Sequence, residues 1–130
     1  MQVFETVLYA HDIPAVVDFY SGTLGLRTVE EPDELSAAFR LDGGAMLLIF
    51  DPDRSSVPGR PVPSHGAVGA GHIAFGVEPA ELDRLSDRLR LAGVETEKEI
   101  DRGGTRGRAL YVRDPAGNSV EILDGDPWPP

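Results

Sequence analysis

The chain has 130 residues and carries 22 acidic side chains against 12 lysines and arginines, which gives a net charge of −10. This length suits one compact domain, and the hydrophobic fraction of 41% excludes a disordered or fibrous protein. The acidic balance argues against a nucleic-acid or anionic-membrane partner, and the absence of cysteine excludes disulfides, thiolate catalysis and Cys-ligated zinc.

No apolar run approaches the roughly 20 residues that a membrane-spanning helix needs. The first residues lead into a strand-like segment, and they do not resemble a signal peptide. We therefore expect a cytoplasmic protein without a membrane partner.

The first 50 residues predict one strand, one helix and three further strands. Asp12 is placed to cap the helix, with Pro14 in its first turn, and Asp42-Gly43-Gly44 marks the turn before the last strand. The predicted elements are a strand at 3–10, a helix at 11–26 and strands at 26–31, 34–41 and 45–50.

The same order of elements recurs after residues 51–70, a segment rich in Pro, Gly and Ser that predicts a linker without regular structure. A strand at 71–77 precedes a helix at 79–94, whose leucines form an apolar stripe that we assign to the core. Those leucines are Leu82, Leu85, Leu89 and Leu91. The remaining predicted strands are 94–100, 108–114 and 118–123.

This repetition predicts an internal duplication. Glu5 and His72 occupy the same place in the first strands and lie 67 residues apart, while Leu48 and Glu121 occupy the same place in the last strands and lie 73 apart. We expect one α+β domain of two βαβββ modules, 1–50 and 71–130, joined by the linker 51–70. The two modules would pair into a curved, mostly antiparallel sheet that encloses a cleft.

Pairing of the modules brings their equivalent positions towards that cleft. Three of these four positions carry side chains that can bind a metal, namely Glu5, His72 and Glu121. Unpaired carboxylates in a partly enclosed site are costly, and a divalent cation removes that cost. Two other interpretations remain open: His72 is a hydrogen-bonded core histidine, and the glutamates bind solvent or an arginine.

The order of elements, the helix exit FYSGTLGL, the strand GHIAF and the segment DPAGNSVEIL together resemble the vicinal oxygen chelate superfamily. That superfamily includes glyoxalase I, bleomycin-resistance proteins and extradiol dioxygenases. The resemblance covers essentially the whole chain, and it places the family's metal ligands on Glu5, His72 and Glu121. The chain departs from the family at Glu5, where histidine is more common, and at Leu48, where glyoxalase I has an acidic ligand.

The resemblance implies a metal-dependent enzyme of the lyase, isomerase or dioxygenase class, which binds a small molecule through two adjacent oxygens. The ion would be Mn, Fe, Co, Ni or Zn, and Glu121 and Glu5 would be the catalytic residues. The alternative is a metal-free protein that sequesters a ligand, as the bleomycin-resistance members do. Family members often dimerise, so we expect a homodimer.

Further residues are candidates for binding the substrate. Arg40 and Arg113 precede turns and could pair with an anion, as could the arginines of the Gly-rich loop 102–108, although a flexible loop is the simpler interpretation. His65 lies on the linker, where it either closes over the cleft or is exposed to solvent.

Overall fold

The first sheet forms from the apolar and β-branched segments of the first half. Its strands are β1 (Glu5–Tyr9), β2 (Arg27–Thr28), β3 (Ser36–Arg40) and β4 (Met46–Phe50), in the order β1-β4-β3-β2. β1 runs parallel to β4, and β3 and β2 complete the sheet in antiparallel pairs. This computed structural model describes residues 1–128 of the chain.

The second sheet repeats this arrangement. Its strands are β5 (His72–Gly76), β6 (Thr96–Asp101), β7 (Arg108–Arg113) and β8 (Ser119–Leu123), in the order β5-β8-β7-β6, with β5 parallel to β8. The predicted α+β fold with two equivalent four-stranded sheets is therefore confirmed. The last two residues of the predicted second module, 129 and 130, lie outside the described residues.

Three α-helices accompany the sheets within residues 1–128. Asp12 caps α1 (Ile13–Val17), because its Oδ1 accepts a hydrogen bond of 3.0 Å from the Ala15 amide. The helix continues as a π-helical turn over Asp18–Thr23, where the Leu24 amide donates to the Phe19 carbonyl. None of the helices within residues 1–128 is both long and apolar enough to cross a membrane.

The second helix lies where the sequence predicts no regular structure. α2 (Pro52–Ser55) forms at the start of the linker because Asp51 caps it and accepts a 2.8 Å hydrogen bond from the Asp53 amide. Further along the linker, the His65 amide donates to the Ser55 carbonyl. The linker is thus partly ordered by its own hydrogen bonds.

The third helix, α3 (Pro79–Leu91), follows the predicted periodicity with one exception. Leu82, Leu85 and Leu89 are buried, as the stripe predicts, but Leu91 is 77% exposed. The assignment of Leu91 to the core was wrong because two residues correspond to about 200° around a helix, so Leu91 lies on the face opposite Leu89.

Both halves contribute to one core. Val16 and Leu47 from the first half and Leu89 and Val112 from the second are fully buried in the same cluster of side chains. Tyr20 is also fully buried, and its hydroxyl donates a 2.9 Å hydrogen bond to Asp114 of the other half. The two sheets are consequently packed against shared side chains rather than joined only by the linker.

The side chain of Asn118 connects the two halves by hydrogen bonds to backbone atoms. Its side-chain oxygen accepts a 2.7 Å hydrogen bond from the Gly71 amide, and its Nδ2 donates to the Tyr9 carbonyl at 3.1 Å and to Asp114 at 2.9 Å. A Cβ atom on Gly71 would lie 2.7 Å from Cδ2 of Leu8, so any larger residue at this position would force the Leu8 side chain to shift. The segment DPAGN therefore has a structural role at the contact between the halves.

Candidate metal and substrate site

The pairing of strands places three polar side chains on one face of the second sheet. Glu121 lies directly opposite Ala74 on β5 and opposite Tyr111 on β7, and His72 precedes Ala74 by two residues. Because alternate residues of a strand share a face, His72, Tyr111 and Glu121 project to the same side. The neighbours Val120 and Ile122 point to the other side and are buried in the core.

Glu121 is the centre of this group, and its side chain is only 11% exposed. Tyr111 donates a 2.6 Å hydrogen bond to Oε1, and NH2 of Arg102 lies 3.5 Å from the same oxygen. The other oxygen, Oε2, lies 3.6 Å from Nε2 of His72, whose side chain is 52% exposed. One oxygen of Glu121 is thus held by the protein, and the other is directed towards a histidine that solvent reaches.

Hydrogen bonding at this site alters the acidity of Tyr111. The bond to Glu121 raises the pKa of the Tyr111 hydroxyl above its usual value of 10.0, burial raises it further, and the nearby Arg102 guanidinium opposes the shift. Tyr111 therefore stays protonated throughout the neutral pH range and acts here as a hydrogen-bond donor.

Arg102 reaches the site from the loop that follows β6. Its backbone amide donates to the Gly107 carbonyl at 2.9 Å, which closes the loop, and its NH2 lies 3.2 Å from the Tyr111 hydroxyl. Its NH1 is buried and has no hydrogen-bond partner among the described residues. A buried guanidinium next to Glu121 partly offsets the charge of that carboxylate.

Two of the three predicted metal ligands are suitably spaced for one ion. Ligand atoms about 2.1 Å from a shared divalent ion, at bond angles between 90° and tetrahedral, lie roughly 3.0–3.4 Å apart. The 3.6 Å between Nε2 of His72 and Oε2 of Glu121 is slightly longer, so a small movement of either side chain would bring both atoms to one ion. Imidazole nitrogen and carboxylate oxygen also suit Mn(II), Fe(II), Co(II) or Zn(II).

The third predicted ligand, Glu5, is placed differently. Glu5 is exposed at the start of β1, and no ion pair between it and His72 is present in residues 1–128. Across that range, the group whose three ligand atoms all lie within 4.8 Å of one another is His11, Asp51 and Asp53, at the ends of β1 and β4. That group could hold a metal ion, although its His11 side chain is 67% exposed.

The predicted substrate-binding residues lie in three separate places. Arg40 is the last residue of β3, and its NH1 donates a 2.8 Å hydrogen bond to the Gly44 carbonyl in the turn at residues 42–44. Arg113 binds Glu97 through two nitrogens, which raises the pKa of Arg113 and lowers that of Glu97. His65, on the linker, lies next to the first sheet, and its Nδ1 is 2.9 Å from the hydroxyl of Tyr9 on β1.

Arg108, another candidate for pairing with an anion, is engaged within the protein. Its Nε and NH2 donate to Asp124, whose side chain is only 4% exposed, and its NH1 donates to Asp83 at 2.9 Å. The backbone amide of Arg108 also donates to Asp124, and this bond is the main reason that the pKa of Asp124 falls below its usual 3.8. The side chain of Arg108 therefore has a structural partner.

Replacing Asp124 with asparagine is expected to lower the melting temperature at neutral pH and to lower it less in acid. A carboxylate whose pKa is lowered in the folded state stabilises the fold above its unfolded pKa, and this stabilisation is lost as the pH falls through the folded pKa. Differential scanning calorimetry from pH 7 to about pH 3 measures this, with the exposed Asp87→Asn as the control. A difference between wild type and Asp124→Asn that does not change with pH contradicts the account.

Comparison with known proteins identifies the family. Residues 2–122 match the family model of the glyoxalase/bleomycin resistance protein/dioxygenase superfamily. The crystal structure of lactoylglutathione lyase from Agrobacterium tumefaciens is 38% identical, has a TM-score of 0.87, and is similar over 98% of this chain and 96% of that one.

Two curated relatives are similar over part of their length. Biphenyl-2,3-diol 1,2-dioxygenase 3 of Rhodococcus globerulus is 30% identical over 118 residues, which make up 89% of this chain and 59% of the dioxygenase. Metallothiol transferase FosB of Shouchella clausii (strain KSM-K16) is 34% identical over 58 residues, 42% of this chain and 38% of the transferase. The chain thus spans about half the length of these relatives.

The protein belongs to the glyoxalase/bleomycin resistance protein/dioxygenase superfamily, the vicinal oxygen chelate group. The resemblance predicted from the sequence is confirmed. Its relatives include a lyase, a dioxygenase and a transferase, so the superfamily covers several classes of reaction.

Proposed function

We propose that this protein is a metal-dependent enzyme that acts on a small molecule through two adjacent oxygens, with the ion held by Glu5, His72 and Glu121. The observation that carries the proposal is the buried Glu121 carboxylate, whose Oε2 lies 3.6 Å from Nε2 of His72. A bound Mn, Fe, Co, Ni or Zn ion would supply Lewis-acid stabilisation of negative charge on the substrate oxygens. A lyase, isomerase or dioxygenase reaction is compatible with this site.

The residues around Glu121 have different roles in this proposal. Tyr111 and Arg102 hold Oε1 and fix the orientation of the carboxylate, so that Oε2 stays directed towards His72. Tyr111 keeps its proton at neutral pH and donates it in a hydrogen bond. Glu5 is exposed and takes part in no ion pair in the described part of the chain, so it could dissociate from the ion, and we assign to it the acceptance of a proton from the substrate in that state.

We also propose a cytoplasmic homodimer of a chain built from two repeats, 1–50 and 71–130, joined by the linker 51–70. β1 and β5 each pair with a strand on one side only, so each leaves an edge open to pairing. Val3 and Phe4, next to β1, are 71% and 69% exposed. A second copy of this chain would cover these edges and side chains, and Glu5 on β1 would lie close to that contact.

A metal-free protein that binds and sequesters a small molecule is the second candidate. The observation that favours it is the position of Arg102, which lies 3.5 Å from Glu121 and partly balances its charge without an ion. In such a protein, the same face of the second sheet would bind a ligand without chemistry.

A series of metal ions separates these two functions. We expect Mn(II), Co(II) or Ni(II) to stabilise the metal-stripped protein by about 2.7 kcal/mol at 100 times the dissociation constant, and Mg(II) and Ca(II) to have little effect. The melting temperature of the EDTA-treated protein, measured as each ion is added, provides the test. If no ion changes the melting temperature, the enzyme proposal fails and the sequestering function is favoured.

A further inference from the structure

A cavity of about 730 Å³ lies between the two halves of the molecule. One side is formed by the ends of β2 and β3 and the turn at residues 42–44, and the other by β5 and α3. Its walls include the apolar side chains of Phe75, Leu85 and Ile122. Cavities of this size and composition commonly bind small molecules.

Two arginines line this cavity in an unusual arrangement. Arg27 on β2 and Arg40 on β3 lie directly opposite each other in the antiparallel pair. Like charges at such positions repel each other, which destabilises the sheet unless an anion lies between them. Neither arginine forms an ion pair with any carboxylate in residues 1–128, although the chain has far more acidic than basic side chains.

Most of the other arginines are paired, although Arg60, Arg88 and Arg106 also form no ion pair within residues 1–128. Six arginines form ion pairs with aspartate or glutamate, namely Arg54, Arg84, Arg90, Arg102, Arg108 and Arg113. The acidic side chains that line the cavity are Asp42 and Glu81, and Glu81 is already bound by Arg84. The cavity lining therefore carries the two positive charges of Arg27 and Arg40 and one carboxylate without an arginine partner, that of Asp42.

The cavity lies against the other face of the second sheet from the Glu121 site. Phe75 and Ile122, which line the cavity, are neighbours of Ala74 and Glu121 along their strands. Since successive residues of a strand point to opposite faces, a ligand on these apolar side chains would lie across the sheet from His72 and Glu121.

We propose that Arg27 and Arg40 bind the carboxylate of an amphiphilic small molecule whose apolar body occupies this cavity. The inference does not depend on the proposed function, because the cavity walls and the Glu121 site lie on opposite faces of the second sheet. The two guanidinium groups supply charge-assisted hydrogen bonds to the carboxylate, and Phe75, Leu85 and Ile122 contact its apolar part.

Octanoate is the probe that tests this proposal, and 1-octanol is its uncharged counterpart. Isothermal titration calorimetry should show one octanoate site per chain, with 1-octanol binding at least about tenfold more weakly. Arg27→Gln and Arg40→Gln should each weaken octanoate binding about tenfold. Arg106→Gln is the matched control, because it removes the same charge from an exposed residue outside the cavity and should change affinity less than about twofold.

Octanoate binding that is unaffected by both substitutions, equal binding of 1-octanol, or no binding at all would overturn the proposal. Circular dichroism of the two variants should match wild type, because Arg27 is exposed on a two-residue edge strand. The His72→Ala variant separates this proposal from the enzyme proposal: we expect it to bind octanoate as wild type does. Wild-type protein that binds Mn(II) but not octanoate would reject the anion site and leave the proposed function standing.

Discussion

Replacing Asn118 with alanine is expected to lower the free energy of unfolding by about 3 kcal/mol. The Asn118 side chain is only 2% exposed and makes hydrogen bonds to Gly71, Tyr9 and Asp114. Its loss would leave the Gly71 amide and the Tyr9 carbonyl without these partners at the contact between the halves. Buried groups left unpaired in this way cost more than the net value of the bonds themselves.

Urea unfolding at neutral pH measures this effect, with Ser119→Ala as the control. Ser119 is the next residue in the chain and the first of β8, its side chain is half-buried, and we expect its replacement to change the free energy of unfolding by about 0.5 kcal/mol or less. An Asn118→Ala variant that loses less than about 1 kcal/mol would show that water or a rearranged backbone replaces these bonds.

The order and type of the strands follow from local sequence signals. The predicted strand at 108–114 corresponds to β7, Arg108–Arg113, and that at 118–123 corresponds to β8, Ser119–Leu123. Both are short apolar segments on either side of a Pro- and Gly-containing turn, a pattern typical of a hairpin. The prediction was weaker for 26–31, where only Arg27–Thr28 forms a strand, because this edge segment has a single pairing partner.

The contacts of Glu121 depend on the register between β7 and β8, which the residue pattern of either strand alone does not show. Tyr111 was not predicted as a site residue, yet the register places it directly opposite Glu121. Counting outward from the turn at 114–118 would have found this pair, since Arg113 lies opposite Ser119 and each step moves one residue on both strands.

The position of Arg102 depends on the loop after β6. Gly103, Gly104 and Gly107 all have positive φ, and together they form the loop that brings the guanidinium next to Tyr111 and Glu121. The sequence indicated only that this loop is rich in glycine and arginine. Similarly, the position of Glu5 relative to His72 depends on how the two halves pack, which no residue spacing determines.

Replacing any one of the three proposed ligands is expected to weaken Mn(II) binding at least about 100-fold. Substitution of groups that only orient a ligand already costs about 10- to 100-fold in affinity, so removal of a ligand atom should cost more. Titration of EDTA-treated protein with Mn(II), followed by electron paramagnetic resonance of the free ion, would measure this for Glu5→Gln, His72→Ala and Glu121→Gln. His11→Ala is the control, because His11 belongs to the separate group with Asp51 and Asp53.

The anomalous scattering of manganese in crystals grown with Mn(II) would locate the ion directly. We expect one strong peak per chain, about 2.0–2.3 Å from Nε2 of His72 and from a carboxylate oxygen of Glu121, with Glu5 of the same or a second chain completing the ligands. A peak between His11, Asp51 and Asp53, with none beside Glu121, would contradict the assignment of the metal site.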